Sequence, residues 1–556
     1  MAKTLRLKEY RKVLLYYHLS VFFLSVFFLP TAAQTYNEIL GRPSDKSITI
    51  SILADQQAEV YWEYGTEPES YSQRTSTFLV IAGVPLETDF TGLNADTKYF
   101  YRTRIRMEGT STGFQTGQEH TFHTQRSAGS SFTFTIEADE HLYDKKGVRS
   151  IYQICLANQA ADKPDFMFSL GDTFGDDHNP LTTTSSDMDQ LHKDYRPYLG
   201  AICHSIPFFF CLGNHEGEFN YYLGQTPPDN IGVYGTLWRK FYYPNPYPDD
   251  FYSGNAEVEP YGMGTPENYY AFTWGDALFV VIDVYRYQSA TSAKPGKWDW
   301  TLGYTQYSWL RNTLEKSHAK FKFVFGHHTL GQTRGGAATA RFYEWGGYNS
   351  DGVTWGFDEN RPGWGKPIHQ LFVDNGVNIF FQGHDHLFAQ EVLDGIVYQE
   401  VPMPSDSTYQ IGMLANADAY LSNTIGGTGH LRVSVSPEDV KVDFIRTWLP
   451  ADTGSLYHNR EVAFSYSLKN GASAVSAVPV ETVSAKVYPN PARDRIYIGL
   501  KDSTGKIRVT LLNRSGQRIL ETTSNEIDVS NVPAGAYFLK IAVGPAVVRK
   551  KIIISR

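Results

Sequence analysis

Five short runs in this chain carry side chains whose types and spacing point to chemistry: Asp139-Glu140-His141, Gly171-Asp172, Gly213-Asn214-His215-Glu216, Gly326-His327-His328 and Gly383-His384-Asp385-His386. In the third, an amide oxygen, an imidazole and a carboxylate follow a glycine, offering a metal ligand, a proton donor and an orienting group. Each run alone is ordinary turn chemistry, since Asp, Asn and His after a strand commonly form turns or satisfy loop backbone. Their joint occurrence, each after an apolar run, points instead to a single metal site. Imidazole, carboxylate and amide ligands suit borderline ions such as Mn, Fe or Zn and disfavour thiolate chemistry. The three cysteines, Cys155, Cys203 and Cys211, read as small buried apolar side chains.

The elements that must position these runs are legible in the apolar pattern. Strands are predicted at Phe132 to Ile136, Asp165 to Leu170, Ile206 to Leu212, Ala277 to Ile282, Phe321 to Phe325 and Val377 to Phe381. Helices are predicted at Val148 to Ala161, Asp187 to Tyr198, Thr305 to Lys316 and Pro367 to Asn375. Strands alternating with helices imply an α/β layered core, in which ligands bind beyond the carboxyl ends of the strands. All five runs stand at such ends.

Around this core the organisation changes. Residues 1–33 have a basic head, an apolar stretch and small residues before Gln34, and read as a secretory signal peptide cleaved near Ala33; the rival reading is an uncleaved membrane anchor. No other stretch is apolar enough to span a membrane. Residues 34–126 alternate apolar and polar residues in short runs between turn clusters, which predicts an all-β sandwich. Residues 127–448 are the α/β region, 449–482 a linker, with Asn470 to Val483 the part rich in Ala, Ser and Val, and 483–556 a small all-β domain. A formal charge of −9, with acids and bases dispersed, excludes the basic stripe of a nucleic-acid binder.

The pattern D-x-H, G-D, G-N-H-E, G-H-H, G-H-D-H resembles the calcineurin-like metallophosphoesterase signature. The resemblance implies a four-layer sandwich, two sheets flanked by helices. It further implies a centre of two metal ions: Asp139, His141 and His386 on one ion, Asn214, His327 and His384 on the other, and Asp172 bridging as a catalytic residue. His327 is preferred to His328 because the family ligand lies two residues before a frequent proline, here Thr329; His328 then lines the substrate pocket. His215, next to the ligand Asn214, is the candidate general acid, with Glu216 or a nearby carboxylate orienting it. Attack by metal-activated hydroxide on phosphorus completes the implied mechanism.

Two further resemblances frame it. Glu59-Val60-Tyr61-Trp62-Glu63-Tyr64-Gly65, the tyrosine-bearing Thr91 to Arg102 hairpin and Thr121-Phe122-His123-Thr124 resemble the fibronectin III-like N-terminal domain of purple acid phosphatases. In those enzymes the first motif resembles D-x-G and a tyrosine follows the bridging aspartate by three residues; here His141 and Gly175 stand there, so no tyrosinate colour is expected. Lys486 to Ala492, Val509 to Gly516, Ile527 to Ser530, Pro533 to Lys540 and Val547 to Ile554 resemble a type IX secretion C-terminal sorting domain, which implies export through the periplasm, with secretion machinery as partner, to a secreted or surface-attached state.

The long segment Gly331 to Lys366 reads as a functional loop. Arg334 or Arg341 would grip a phosphate, Trp345 or Tyr348 would stack on a ring, and Glu216 is a further candidate substrate contact; the same arginines read equally as surface charges and the tryptophans as packing. Asp176-Asp177-His178 reads as a solvated turn or as support for the site. The function expected is a secreted phosphomonoesterase, acid phosphatase-like, acting on a small organic phosphate ester. The alternatives are a phosphodiesterase or nucleotide pyrophosphatase/nucleotidase, and, in another class, a non-catalytic surface binding protein.

Overall fold

The computed structural model describes residues 36–556 apart from 111, 144–146, 175–181, 290–295, 330–333, 412–418, 421–423, 455–456, 470–474, 479–484, 501–506, 513–517 and 544–545. The expected signal peptide, Gly175 and the Asp176-Asp177-His178 cluster lie outside the described residues.

Two sheets face each other across an aromatic core. One runs in the order Phe208–Phe210, Phe166–Ser169, Phe132–Glu137, Gly429–Val435, Asp439–Arg446, Val462–Lys469 and Val475–Val478, with the first three strands parallel. The other holds Tyr270–Trp274, Ala277–Val281, Phe321–Phe325, Ile379–Gln382, Ile396–Glu400 and Phe388–Leu393 in that order, parallel from Ala277–Val281 to Ile396–Glu400. Their continuous apolar runs reflect burial on both faces. Phe166, Phe168, Phe279, Phe323, Phe325 and Phe381 point between the sheets. Met167 points outward onto Tyr152, Leu156, Tyr195 and Leu199, which lie on the helices Arg149–Ala161 and Ser185–Cys203. On the second sheet Leu278, Val280, Val324 and Phe380 point outward onto Leu310 and Leu314 of the Gly303–Lys316 helix and Leu371 and Phe372 of the Ile368–Asp374 helix. Period-2 alternation hidden inside each apolar run therefore makes the layers helix, sheet, sheet, helix.

The N-terminal region packs two β-sheets over Trp62, Phe90, Tyr101 and Phe122. Its hairpin tyrosine, Tyr99, accepts a hydrogen bond from Asn94 N at 2.9 Å. The buried Arg196, on the Ser185–Cys203 helix, joins this region to the core by donating to Asn37 Oδ1 (2.7 Å) and Ser51 O (2.7 Å). The C-terminal region has its own apolar cluster, including Ile496, Leu511, Leu539 and Ile552. Its strand Ala546–Ile554 meets the second sheet where Ala546 pairs with Ile425.

The segment expected as a linker, 449–482, departs from that expectation. Val462–Lys469 and Val475–Val478 extend the first sheet, and Phe464, Tyr466 and Leu468 alternate into the inter-sheet core. The alternation lies in Val462–Lys469, ahead of the small-residue stretch that begins at Asn470. Among the described residues no helix is long and apolar enough to cross a membrane.

Candidate metal centre

Because the strands before the five runs are parallel within their sheets, their carboxyl ends deliver all five loops to one edge. Ser169 stands in register with Glu137 and Phe210, and Phe325 with Phe381, so the loops leave at matching levels. The backbone there is left-handed at five non-glycine residues: Asp139 (φ 62°), His141 (45°), Asp172 (59°), His384 (80°) and His386 (59°). Such conformations cost roughly 1–3 kcal/mol each and cluster where the surroundings over-determine them. Here neighbouring loops hold one another. Asp139 N donates to Gly171 O (3.0 Å), His384 N to Asp139 Oδ2 (2.8 Å) and Gly383 N to His327 O (2.8 Å). The approach requires glycine at two places: a Cβ on Gly213 would lie 2.4 Å from Asp172 N, and one on Gly383 2.6 Å from Asp139 Oδ2.

Glu216 ties the second loop to the third. Its Oε2 accepts from Gly213 N (2.6 Å) and Asp172 N (3.1 Å), its Oε1 from Thr173 N (2.7 Å) and Phe174 N (3.0 Å). Expected beside His215 or at the substrate, the carboxylate is instead buried among loop amides and fixes Asp172. Glu140 acts similarly under the first loop, accepting from Ser169 Oγ (3.1 Å) and Thr173 Oγ1 (2.6 Å). Sequence reasoning left Glu140 without a role, and no local signal separates it from a solvated turn residue.

Potential ligand atoms converge above this floor. Asp172 Oδ2 lies 3.2 Å from His327 Nε2, 3.7 Å from His141 Nε2 and 3.8 Å from His215 Nε2. Asp139 Oδ1 lies 3.5 Å from His386 Nε2, 3.8 Å from His141 Nε2 and 3.8 Å from His327 Nε2. Three overlapping groups result, Asp139 with His141 and His386, His141 with Asp172 and His215, and Asp172 with His327 and His384, each with ligand atoms mutually within 4.8 Å. His215 N also donates to Asp172 Oδ1 at 2.8 Å. Of the paired histidines it is His327 whose Nε2 reaches Asp172; its Nδ1 is set by Leu170 O at 2.7 Å. The His328 ring stands 5.0 Å from that of His384, with Nδ1 at Thr329 O (2.8 Å).

The proposed substrate contacts separate in space. Arg334 Nη1 donates to Asp385 Oδ1 (2.7 Å) and His384 O (2.9 Å), which anchors a half-exposed guanidinium beside the centre. Arg341 lines a different surface cleft with Tyr348, Trp355, His369 and Asp394. Trp345 is buried against Phe372 and Phe380 and donates to Tyr398 OH (3.0 Å), so it packs the segment down.

Electrostatics follow the geometry. Burial works against charge on both His327 and Asp172, yet Asp172 and Asp139 lift His327 to about 9, while His327 and His215 hold Asp172 well below the usual carboxylate range. Burial, then the neighbours His328 and His327, push His384 well below the ordinary imidazole value, and burial takes His328 down to about 4. Ionised Asp172 and neutral His384 are already in metal-binding form, whereas His327 would release its proton on taking up a cation.

The residues present fit a metal centre. Asp139 Oδ1, Asn214 Oδ1, His327 Nε2 and His386 Nδ1 are buried without hydrogen-bond partners among the described residues, and His141 Nε2 stands 3.0 Å from His386 Nε2. Orphaned buried polar atoms are costly, and Asp139 Oδ1 and His327 Nε2, 3.8 Å apart, would both be satisfied by a cation.

Comparisons with known proteins agree with this geometry. Residues 132–388 match the calcineurin-like phosphoesterase family, and residues 486–555 the secretion system C-terminal sorting domain. A solved structure of PhoD is similar at 16% identity and a TM-score of 0.59, over 82% of this chain and 94% of that one. Purple acid phosphatase PPD1 from yellow lupin (Lupinus luteus) seeds is similar at 13% identity and a TM-score of 0.51, over 78% and 74%. No curated protein matches the chain. At such identities these structures support the fold, and the family match adds the chemistry: the chain carries a calcineurin-like phosphoesterase domain, a hydrolase whose family implies a dinuclear metal centre, and ends in a secretion sorting domain.

Proposed function

We propose that the chain is an exported phosphomonoesterase that hydrolyses small organic phosphate esters at two metal ions. Asp139, His141 and His386 would hold one ion, Asn214, His327 and His384 the other, and Asp172 both. The observation that supports this reading is the three overlapping ligand groups formed by Asp139, His141, Asp172, His215, His327, His384 and His386, in which Asp139 Oδ1 and His327 Nε2 are buried and orphaned. Mn, Fe or Zn suits the donor set. When bound, such a pair neutralises phosphoryl oxygens and lowers the pKa of water.

The remaining work falls to the chain itself. His215 sits at the rim, its side chain 14% exposed where that of Asp172 is 1% exposed. Its backbone amide is tied to Asp172, which aims Nε2 across the centre, and a proton on Nε2 passes to the leaving oxygen. Arg334, pinned by Asp385, places positive charge beside His384 and suits the second charge that a monoester carries and a diester lacks. His328 lines the same side. The N-terminal sandwich, proposed as fibronectin III-like over 34–126, serves as a spacer packed on the catalytic domain, and the sorting domain delivers the protein to the cell surface or the medium.

The test is metal analysis of the purified full chain, then turnover of an aryl phosphate and a bis-aryl phosphate after loading with Mn, Zn or Fe separately. Two ions per chain and faster monoester turnover are expected. Faster diester turnover would make it a phosphodiesterase. Fewer than two ions with no hydrolysis would make it a binding protein.

A further inference from the structure

Tyr285 has no part in the roles assigned above. It follows the Ala277–Val281 strand, which carries none of the five runs. Its backbone is fixed, because Tyr285 N and Arg286 N both donate to Asp283 Oδ1 (2.9 and 3.0 Å) and Asp283 Oδ2 accepts from Asn268 Nδ2 (2.7 Å). Its ring stands among Phe219 (5.4 Å between centroids), Trp300 (5.8 Å) and His327 (5.7 Å).

The residue is 2% exposed, yet its hydroxyl has no hydrogen-bond partner among the described residues. A buried tyrosine hydroxyl normally finds a partner, so an orphan calls for an explanation. Tyr195, Tyr243 and Tyr466 have equally unpartnered hydroxyls. Among these, Tyr285 is the one whose ring packs against a histidine of the centre, His327. Its contact with the His327 ring places it beside the centre, while Tyr466 lies in the inter-sheet core.

We propose that the Tyr285 hydroxyl donates a hydrogen bond to a phosphoryl oxygen of the ester bound at the Asp172 centre. The inference rests on the phosphoesterase reading above and adds a substrate-contacting residue to it. The phenol fixed beside His327 then serves as a preorganised donor that needs no reorientation when phosphate enters.

The experiment compares Tyr285→Phe with wild type in the metal-loaded full chain, using inorganic phosphate as the ligand. Three quantities are read: phosphate affinity by titration calorimetry, bound metal, and the melting temperature of the metal-free protein. Phosphate affinity is expected to fall about 10- to 100-fold, as for a hydrogen bond to a charged group. Metal content should stay at the wild-type level, and the melting temperature should hold or rise, because an unsatisfied buried hydroxyl has been removed. Tyr466→Phe, the control, should match that thermal behaviour with phosphate affinity unchanged. Unchanged affinity in Tyr285→Phe, or a loss that comes with lower metal content and a lower melting temperature, overturns the proposal. If wild type turns over aryl phosphate and the variant binds phosphate equally, only this inference fails. A wild type that holds no metal and binds no phosphate overturns both readings.

Discussion

Asp172 is where the site's electrostatics are decided. His327, His141 and His215 all approach its Oδ2 within 3.8 Å, and its own amide is held by Glu216. Removing this carboxylate leaves imidazoles facing one another with nothing to share, whereas removing His215 leaves the other groups in place. The two variants should therefore fail differently. In His215→Ala both metals are retained and kcat falls by about 10² to 10⁴, least for aryl phosphates with good leaving groups, as expected when a general acid is lost. Asp172→Ala should lose metal as well as rate. Metal content measured beside kcat on substrates of graded leaving-group pKa separates them, and equal metal loss in both variants would remove His215 from its assigned role.

At the scale of elements, most of what positions the site was legible as apolar runs of strand length, each ended by a glycine or a polar turn. Phe132–Glu137, Phe321–Phe325 and the helix Arg149–Ala161 fall within about a residue of their expected bounds, because burial on both faces leaves an uninterrupted pattern. The helix Ile231–Tyr242 escaped notice because Gly232 and Gly235 break its apolar stripe; the space they leave lets Glu216 O and Leu223 approach the helix. The role of Glu216 and the place of Tyr285 were hidden for another reason: most of their partners come from other loops, and no spacing along the chain encodes that a carboxylate will meet four amides. The same holds for Asp162, the residue that ends the Arg149–Ala161 helix. It bonds His430 Nε2 (2.9 Å), Arg460 Nη2 (2.8 Å) and Arg432 Nη1 (3.1 Å), joining that helix to the Gly429–Val435 strand. Burial opposes its charge, but His430 and the arginines hold it down at about 2. A carboxylate depressed in the fold contributes stability above its unfolded pKa of about 3.9 and loses it as pH falls towards 2. Asp162→Asn should therefore lower the unfolding free energy by about 2 kcal/mol at pH 7, and urea midpoints of variant and wild type should converge between pH 4 and pH 2.

At the scale of the whole molecule, the join between the N-terminal sandwich and the α/β region holds a pair of stacked, buried histidines. His120, inside the Gln115–His123 strand, stacks on His204, at the end of the Ser185–Cys203 helix, with ring centroids 3.8 Å apart. Tyr101 OH donates to His204 O (2.6 Å) and Thr121 N to Ser205 Oγ (3.3 Å), closing the join around the two rings. Burial, reinforced by His204, takes His120 down to about 3, and burial also lowers His204. The sign runs opposite to that of a paired histidine. The folded state keeps His120 neutral while the unfolded chain protonates it below about pH 6.5, so stability is fully present above that pH and declines as pH falls from 6.5 towards 3. The decline is up to about 1.4 kcal/mol per pH unit for one histidine, less where solvent reaches the ring. His120→Phe keeps a stacking ring and removes the titration. Its unfolding free energy should fall less steeply than that of wild type between pH 6.5 and 4.5, with the two closest at pH 8. Limited proteolysis across residues 124–131 over the same range locates the effect: cleavage should rise on acidification more steeply in wild type than in the variant, which keeps His204, and parallel pH profiles for both proteins would place the acid sensitivity elsewhere in the chain.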